Sequence, residues 1–399
     1  MAFASSPIHS FVPLRRWLPS SMRSIAAHYL LDQGRLLERP VVRFDEQGRV
    51  LCVEDWQSRD SLPSTEFYAG ALCAGFVNAH CHLELSYLRG AIEQGTGFGG
   101  FAAAIGRVRG GYDMSERLRS IAAADAAMWE QGVQAVGDIV NGTTSYPTKS
   151  RSQIIYRNFA ELFGLKSDVD AIAELLRCPD TIPTPHSIYS LQDKPFRAVA
   201  TMAGCEQPLS VHFMESDDES ALFRGEGSLA AWYERMGWQC VFLHYGSPAT
   251  RLVESLDAKQ RLLLVHACCV TEQDVELIDN HFEQSVAWVL CPRSNRYISG
   301  LQPPLHLLRR KGALICVGTD SLASNDSLSI IEELKMFSDV PLAELVAWAT
   351  INGARALGLE QEIGSVERGK RSGLVLIEGV EMRSGALRLR PDAKTRRVI

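Results

Sequence analysis

Short apolar runs alternate with polar, helix-forming stretches through the middle of the chain. Between most of the runs, apolar residues recur every three or four positions, as in 113–131 and 271–280, which predicts amphipathic helices. Strands that alternate with helices over about 280 residues are typical of an α/β fold, a (β/α)8 TIM barrel. The eight apolar runs lie at 72–79, 133–140, 153–162, 181–186, 209–214, 261–266, 285–291 and 313–319.

The two ends of the chain have a different pattern. Short strand-like segments separated by turns occur at 41–44 and 50–53, and again at 373–377 and 386–389. These segments predict a small composite β-sandwich domain built from both termini. Its parts are residues 24–71 and 366–399, and the barrel domain occupies 72–365.

Residues 1–23 fit neither unit. They carry no acidic residue, several arginines and serines, and three prolines that interrupt any long helix. An N-terminal extension or disordered tail is expected, with Met22 as an alternative start; a targeting segment is the competing interpretation.

The interval 215–260 is longer than an ordinary connection between a strand and the next helix. It is rich in aromatic residues, among them Trp232, Tyr233 and Trp238. This interval is a candidate lid or pocket wall, although packing of the lid against itself explains the same residues.

Composition narrows the class of protein. With 46% hydrophobic and 22% charged residues, the chain has the make-up of a globular protein, not a disordered one. The net charge of −6 gives no basic surface for nucleic acid or an anionic membrane. Ten cysteines without any CxxC pair favour reduced thiols and a cytoplasmic location. A small-molecule substrate is therefore expected as the partner; a homo-oligomer is left open.

The strongest local motif is His80-Cys81-His82, at the end of the first predicted barrel strand. Residues two apart on a strand point to the same side, so both imidazoles can reach one ion. His212 and Asp320 end the fifth and eighth predicted strands, at the edge where barrel enzymes place functional groups. Three imidazoles and one carboxylate suit one divalent metal ion, Zn²⁺ or alternatively Fe²⁺.

Two further residues suggest acid–base chemistry near that ion. Glu215 follows His212 by three residues, close enough to move a proton without binding the metal. His266 ends the sixth predicted strand and is expected to orient the attacking water, with metal ligation as the alternative.

These motifs, in this order, resemble the amidohydrolase superfamily and its deaminase and chlorohydrolase branch. The resemblance implies that His80, His82, His212 and Asp320 hold the metal. It also implies a proton-shuttle role for Glu215 and contact of His266 with water or the leaving group.

Longer segments are similar to the aminodeoxyfutalosine deaminases, which act on an adenosine-like nucleoside in one menaquinone route. The sequence departs from the expected pattern at Arg293 and Ser321, and Gly373 stands where that pattern has an aspartate. The segments that carry the similarity lie at 75–86, 185–190, 212–216, 291–296 and 320–325.

Five residues are candidates for substrate binding. His186 follows a proline at a strand end and is expected to face the substrate; a core histidine is the alternative. Glu84 would bind a substrate hydroxyl or pair with an arginine. Asn295 and Arg296 would bind an anionic substrate tail or form structural pairs, and Asn325 is the fifth candidate.

The predicted reaction is metal-dependent hydrolytic deamination of an adenosine-like nucleoside, with release of ammonia. A chlorohydrolase or a cyclic amide or amidine hydrolase would use the same metal residues. A non-catalytic small-molecule-binding barrel is the alternative from another class, and the intact set of ligand-type residues argues against it.

Overall fold

The computed structural model describes residues 22–56, 64–283 and 286–399. Nearly all of the predicted extension, residues 1–23, lies outside these ranges. The strands of the described residues are β1 (Arg23–Asp32), β2 (Arg35–Glu38), β3 (Pro40–Phe44), β4 (Val50–Asp55), β5 (Thr65–Cys73), β6 (Phe76–Cys81), β7 (Val133–Val140), β8 (Ile155–Leu162), β9 (Thr181–Pro185), β10 (Leu209–Phe213), β11 (Leu262–His266), β12 (Val286–Leu290), β13 (Leu314–Val317), β14 (Val375–Arg383) and β15 (Ala386–Arg397).

The helices follow the strands along the chain. In the described ranges the α-helices are α1 (Gly97–Val108), α2 (Met114–Glu130), α3 (Tyr146–Lys149), α4 (Asp193–Ala203), α5 (Asp217–Phe223), α6 (Gly227–Arg235), α7 (Pro248–Ser255), α8 (Glu272–His281), α9 (Pro292–Ile298), α10 (Leu305–Arg310), α11 (Ile330–Leu334), α12 (Leu342–Ala347) and α13 (Gly353–Leu357). Single 3₁₀ turns lie at Leu83–Leu88, Arg109–Gly111, Val169–Ile172, Leu175–Arg177 and Val241–Tyr245, and a π-helical turn lies at Trp348–Asn352.

Strands from both ends of the chain form one sheet. Its order is β15-β14-β5-β1-β3-β4, with β2 paired to β1. The C-terminal strand β14 runs antiparallel to β5, with Val375 opposite Cys73. Buried aliphatic residues such as Ile25, Leu72 and Leu376 form the apolar core of this unit. The described residues thus show a composite sheet, and the second sheet of a sandwich stays a prediction.

The middle of the chain forms an α/β fold with two parallel sheets of four strands among the described residues, β6-β7-β8-β9 and β10-β11-β12-β13. Strands covered on both faces are nearly continuous apolar runs, which is why they were visible in the sequence. Single parallel bridges join Cys81 to Asp320 and Ser187 to His212, at the edges of the two sheets.

The first predicted run, 72–79, is divided between two sheets. Its first residues complete β5, and β6 begins after Gly75. A β-carbon at Gly75 would lie 2.7 Å from both Gln134 Cβ and the Ser372 carbonyl oxygen. Only glycine fits so close an approach, so a glycine is needed at the point where the chain passes from one sheet to the other.

Glycine is also required at one of the positions that departs from the family pattern. Gly373 has a φ of +66°, and a β-carbon there would lie 2.6 Å from Gln134 Oε1. An aspartate there would take the left-handed conformation, which is uncommon for residues with a β-carbon, and would displace the side-chain ends of Gln134 and Arg397. The departure therefore belongs to the composite sheet and its contact with β7.

Parallel strands that all end at one edge bring the residues after β6, β10, β11 and β13 together. Helices hold the strands from outside, and two of them begin at clear caps. The Asp113 carboxylate accepts a hydrogen bond from Glu116 N at the start of α2, and Thr271 and Asp274 form a capping box at α8. No helix of the described ranges combines the length and apolarity needed to cross a bilayer.

Candidate active site

Three imidazoles and one carboxylate converge where β6, β10 and β13 end. His82 Nε2 lies 3.2 Å from His80 Nε2 and 3.3 Å from His212 Nε2. Asp320 Oδ1 lies 3.4 Å from His82 Nε2 and 3.8 Å from His80 Nε2. The structure therefore brings together the four residues expected to hold a metal.

The donor spacing fits a divalent metal. Two nitrogens bound to a tetrahedral zinc at 2.0–2.1 Å lie about 3.3–3.4 Å apart, close to the separations seen here. A short N···N contact between neutral imidazoles is favourable when one of them donates a proton or a cation binds both. His82 makes such contacts with two other imidazoles at once, which a shared cation explains.

The histidines are held in the neutral form that binds metals. Burial and the neighbouring imidazoles keep the pKa of His80 well below its ordinary value. Burial lowers the pKa of His82 to about 3, against the opposing effect of Asp320. His212 Nδ1 donates to the carbonyl oxygen of His186 at 3.0 Å, which leaves its Nε2 lone pair directed at the other donors.

Asp320 is kept ionised although it is buried. Burial alone would raise its pKa, but His82, His266 and two hydroxyl donors outweigh that effect and lower it. The donors are Ser294 Oγ at 2.5 Å and Ser324 Oγ at 2.7 Å, both to Oδ2. They fix the carboxylate so that Oδ1 faces the histidines.

Glu215 and His266 face each other beside this cluster. Glu215 Oε2 lies 3.9 Å from His266 Nε2. Burial raises the pKa of Glu215 to about 7, so the carboxyl can both accept and release a proton near neutral pH. His266 Nδ1 donates to Asn295 Oδ1 at 2.8 Å, which leaves Nε2 as an acceptor toward the site.

The loop that carries Glu215 is fixed by a second glutamate. Glu219 Oε1 accepts from Glu215 N at 2.7 Å, and Oε2 accepts from Met214 N at 2.9 Å. Glu219 is fully buried, at the first turn of α5. It aims the backbone of the turn between β10 and α5, and so determines where the Glu215 carboxyl lies.

Several residues at the strand ends have strained backbone conformations. Met214, His266, Ala267 and Asp320 have φ values of +48°, +75°, +52° and +57°. Positive φ is uncommon for residues with a β-carbon and occurs preferentially at functional sites. His266 and Asp320 are residues of the site, and Met214 and Ala267 are the chain neighbours of Glu215 and His266, so the strain accompanies the aiming of these side chains.

The predicted substrate residues divide into two groups. His186 lies next to the cluster, with its ring 4.7 Å from that of His212, and it lines the cavity above the site. Glu84 is buried one layer away, where Oε2 accepts from Asn141 N at 3.2 Å, and burial raises its pKa to about 7. Asn295 contacts the site through His266.

Arg296 and Asn325 lie elsewhere. Both line a smaller cavity of about 190 Å³, separate from the lining of the main one. Asn325 Nδ2 donates to Glu333 Oε1 at 2.7 Å, and its Oδ1 accepts from Arg293 Nε at 3.1 Å. Arg293 also pairs with Asp326, so this unexpected arginine takes part in a structural network.

A cavity of about 400 Å³ opens above the metal donors. Its floor contains His82, His212 and Asp320 together with Glu215 and His266, and its walls are mostly aromatic and aliphatic. Helices α1 and α6 supply much of the wall, and Trp232 and Trp238 lie on it. The interval 215–260 thus contributes a pocket wall, one of the two roles expected for it.

Sequence patterns missed the residues that support the site. Ser294, Ser324 and Glu219 belong to no recognised motif of metal ligands, because serine and a second glutamate are common on any helix. A buried Glu161 was also missed: its Oε2 accepts from Asn141 Nδ2 at 2.9 Å, and its Oε1 lies 3.5 Å from His212 Nδ1. Its position near the buried end of β8, directly after Phe159 and Ala160, is the available signal.

Comparisons with known proteins show which proteins this chain is similar to. The model of the amidohydrolase family matches residues 206–396. An adenosine deaminase of Helicobacter pylori is 28% identical over 369 residues, which cover 86% of this chain and 88% of that protein.

Solved structures share the fold. The aminofutalosine deaminase of Helicobacter pylori, in complex with methylthio-coformycin, superposes with a TM-score of 0.77 at 24% identity, over 89% of this chain and 92% of that one. An adenosine deaminase from Xanthomonas campestris with bound zinc has a TM-score of 0.71 at 22% identity, over 89% and 84% of the two chains. These findings confirm the predicted resemblance: the C-terminal half of the chain matches the amidohydrolase family, and over most of its length the chain is similar to deaminases.

Proposed function

We propose that this protein is a metal-dependent hydrolase that removes the amino group from the six-membered ring of an adenosine-like nucleoside. Water replaces the amino group, and ammonia leaves. The observation that carries the proposal is the convergence of His80, His82, His212 and Asp320 beside Glu215. The relatives named above, which are deaminases of adenosine and of aminofutalosine, support it.

Zinc is the proposed ion, with Fe²⁺ as the alternative. Three neutral imidazoles and one carboxylate form a borderline nitrogen and oxygen site that suits either ion. Zinc in the Xanthomonas campestris structure supports the first choice. When bound, the ion supplies an activated water as the nucleophile.

The protein's own groups would move the protons. Glu215, with a pKa near neutral, takes a proton from the attacking water and gives it to the ring nitrogen next to the attacked carbon. The same carboxylate then takes the remaining proton of the added hydroxyl and passes it to the departing amino group, so that a carbonyl forms on the ring and ammonia leaves. His266 Nε2 accepts a hydrogen bond from the water and orients it.

Substrate contacts are proposed for residues on and near the cavity. His186 Nδ1 is buried and makes no hydrogen bond among the described residues, so a polar substrate atom can satisfy it. Glu84 remains a candidate for a ribose hydroxyl, and Asn295 positions His266. Arg296 and Asn325 stay candidates that act from the adjoining cavity.

The closure of the barrel and the division of the chain into domains are also proposed. We infer that the sheets are halves of one eight-stranded barrel over 72–365, and that 24–71 with 366–399 form the separate composite β domain. The single bridges at the sheet edges support closure. The ten free thiols support a reducing, cytoplasmic location.

The test is ammonia release by the zinc-loaded protein from adenosine and its 5′-substituted analogues, with mass spectrometry of the nucleoside product. We expect the amino group to be exchanged for a hydroxyl, in equal amount to the ammonia. The variant Asp320→Asn is the matched control and should lose bound metal and activity together. Chloride release from chlorinated rings without ammonia from any adenosine analogue would contradict the proposal and favour a chlorohydrolase.

A further inference from the structure

The strand β6, which carries the first metal donor, ends irregularly. Its pairing with β7 shifts between Asn78 and Cys81, so the regular ladder of hydrogen bonds is interrupted directly before the second donor. His82, the first residue after the strand, has a φ of −121° and a ψ of +75°, a conformation of neither strand nor helix. The direction of the His82 imidazole therefore depends on other contacts that hold the main chain here.

A buried carboxylate on the neighbouring strand makes one of these contacts. Asp138 lies on β7 and is fully buried, and its Oδ1 accepts a hydrogen bond from Leu83 N at 2.8 Å. Because Leu83 directly follows His82, this bond fixes the peptide that joins the two residues. On the other side, the Asp320 carbonyl oxygen accepts from His82 N at 3.4 Å. The chain around His82 is thus tied both to β7 and to the segment that carries the fourth donor.

The carboxylate of Asp138 is itself held from helix α3. Lys149, the last residue of α3, forms a buried ion pair with Asp138, and its Nζ donates to Asn158 Oδ1 at 2.6 Å. The ammonium also lies 5.1 Å from the centre of the Tyr146 ring and 5.1 Å from that of Tyr156. Removing one member of a buried ion pair leaves the other charge uncompensated, so the burial of Asp138 depends on Lys149.

These groups lie outside the cavity that opens above the metal donors. The described residues that line that cavity include neither Asp138 nor Lys149. Lys149 and Asn158 line a different cavity, of about 440 Å³, beside α3. Any effect of Asp138 on the metal centre therefore passes through the main chain at His82 and Leu83.

We propose that Asp138 is a positioning residue of the metal centre. Its Oδ1 fixes the main chain after His82, and through it the direction of the His82 imidazole, while Lys149 compensates the buried charge. This inference rests on the proposed function, because that function places a metal at His82. Loss of the acceptor oxygen should weaken metal binding and alter the geometry of the donors, although every donor side chain is still present.

The test compares two double variants that differ in one side chain of similar size. Both contain Lys149→Met, combined with either Asp138→Asn or Asp138→Leu. Asp138→Asn keeps an oxygen for Leu83 N and can donate to Asn158 Oδ1, which Lys149 no longer occupies. Asp138→Leu fills the same space without an acceptor. Since both members of the ion pair are replaced together, neither protein holds an uncompensated buried charge, and both should fold.

Two readouts do not depend on turnover. They are the zinc affinity from competition titration and the visible absorption of protein loaded with Co²⁺, whose bands report the geometry of the ligands. We expect the Asp138→Leu protein to bind zinc about 10–100-fold more weakly than the Asp138→Asn protein. The cobalt bands of the Asp138→Asn protein should match those of wild type, and those of the Asp138→Leu protein should differ. Equal zinc affinities or identical cobalt spectra in the two variants would overturn the inference.

A control variant separates this effect from a loss of stability alone. Leu308 is buried on α10, which carries no residue of the site, so Leu308→Ala should lower the free energy of unfolding and leave zinc affinity unchanged. If Asp138→Leu prevents folding, Asp138→Val with Lys149→Met makes the same comparison, because valine suits a strand.

Failure of this inference can be told apart from failure of the proposed function. With the zinc and cobalt results as expected, the absence of ammonia from every adenosine analogue would contradict the proposed function alone. Wild-type protein that binds no zinc would overturn both.

Discussion

Replacing Glu215 by glutamine tests two properties of this residue: its role in catalysis and the stability that the fold loses by burying its carboxylate. The glutamine keeps the size of the side chain and removes the exchangeable proton. Because general acid–base groups contribute about 10²–10⁴-fold, kcat should fall by that factor while KM changes little. The bound zinc should remain, since Glu215 lies outside the four donors.

The same substitution should stabilise the metal-free protein at neutral and alkaline pH. Burial raises the pKa of Glu215 from 4.5 to about 7, so the folded state holds this proton more tightly than the unfolded state does. Below about pH 4.5 the carboxyl is protonated in both the folded and the unfolded state and does not change the free energy of unfolding. Its destabilising effect on the folded state grows between pH 4.5 and 7. Above pH 7 the loss in free energy of unfolding reaches about 3 kcal/mol.

The assay is urea unfolding of chelator-treated protein at pH 8 and at the lowest pH where the fold persists. Glu215→Gln should be more stable than wild type by up to about 3 kcal/mol at pH 8, and the difference should shrink as the pH falls toward 4.5. The exposed Glu206→Gln is the matched control and should change neither stability nor activity. Activity within tenfold of wild type, loss of zinc, or a stability difference independent of pH would refute the reasoning.

Three further predictions concern the metal donors. Ser294→Ala removes a hydrogen bond to the Asp320 carboxylate and should weaken zinc binding by about 10–100-fold in competition titrations, without unfolding the protein; unchanged affinity would show that this hydroxyl does not orient the donor. Gly318→Ala would place a β-carbon 2.9 Å from both His80 Cβ and the His80 carbonyl oxygen. It should lower the free energy of unfolding by about 1–3 kcal/mol and also reduce the amount of zinc bound. A variant that is as stable as wild type and fully loaded with zinc would contradict the close packing. Removing zinc with a chelator should abolish turnover and lower Tm, and adding zinc back should restore both; activity that survives verified removal would contradict the metal requirement.

Much of this arrangement could be predicted from the sequence because it depends on local patterns. Buried parallel strands are mostly apolar, so the runs 261–266 and 313–319 predict strands, and the ends of these two strands locate His266 and Asp320. The terminal sheet was harder to define, because short exposed strands have no such continuous signal. The division of 72–79 between two sheets depends on contacts of Gly75 with residues that are distant in the sequence, so the local pattern does not show it.

The supporting contacts of the site could not be predicted in the same way. Ser294 and Asp320 are 26 residues apart, and Glu219 acts on backbone N–H groups that no motif marks. The positive φ values at His266 and Asp320 arise from tertiary packing and have no glycine to announce them. Arg293 departs from the expected pattern, but its structural pairing with Asp326 follows from a loop conformation that residue spacing does not encode.

The central claim is that four converging donors and Glu215 make this protein a deaminase. Its most direct test measures ammonia and nucleoside product together during turnover of adenosine and 5′-substituted adenosines by the zinc-loaded protein. We expect equal amounts of both in wild type, and about 10²–10⁴-fold less of both in Glu215→Gln with zinc still bound. Zinc-loaded, folded wild-type protein that releases no ammonia from any of these nucleosides would contradict it.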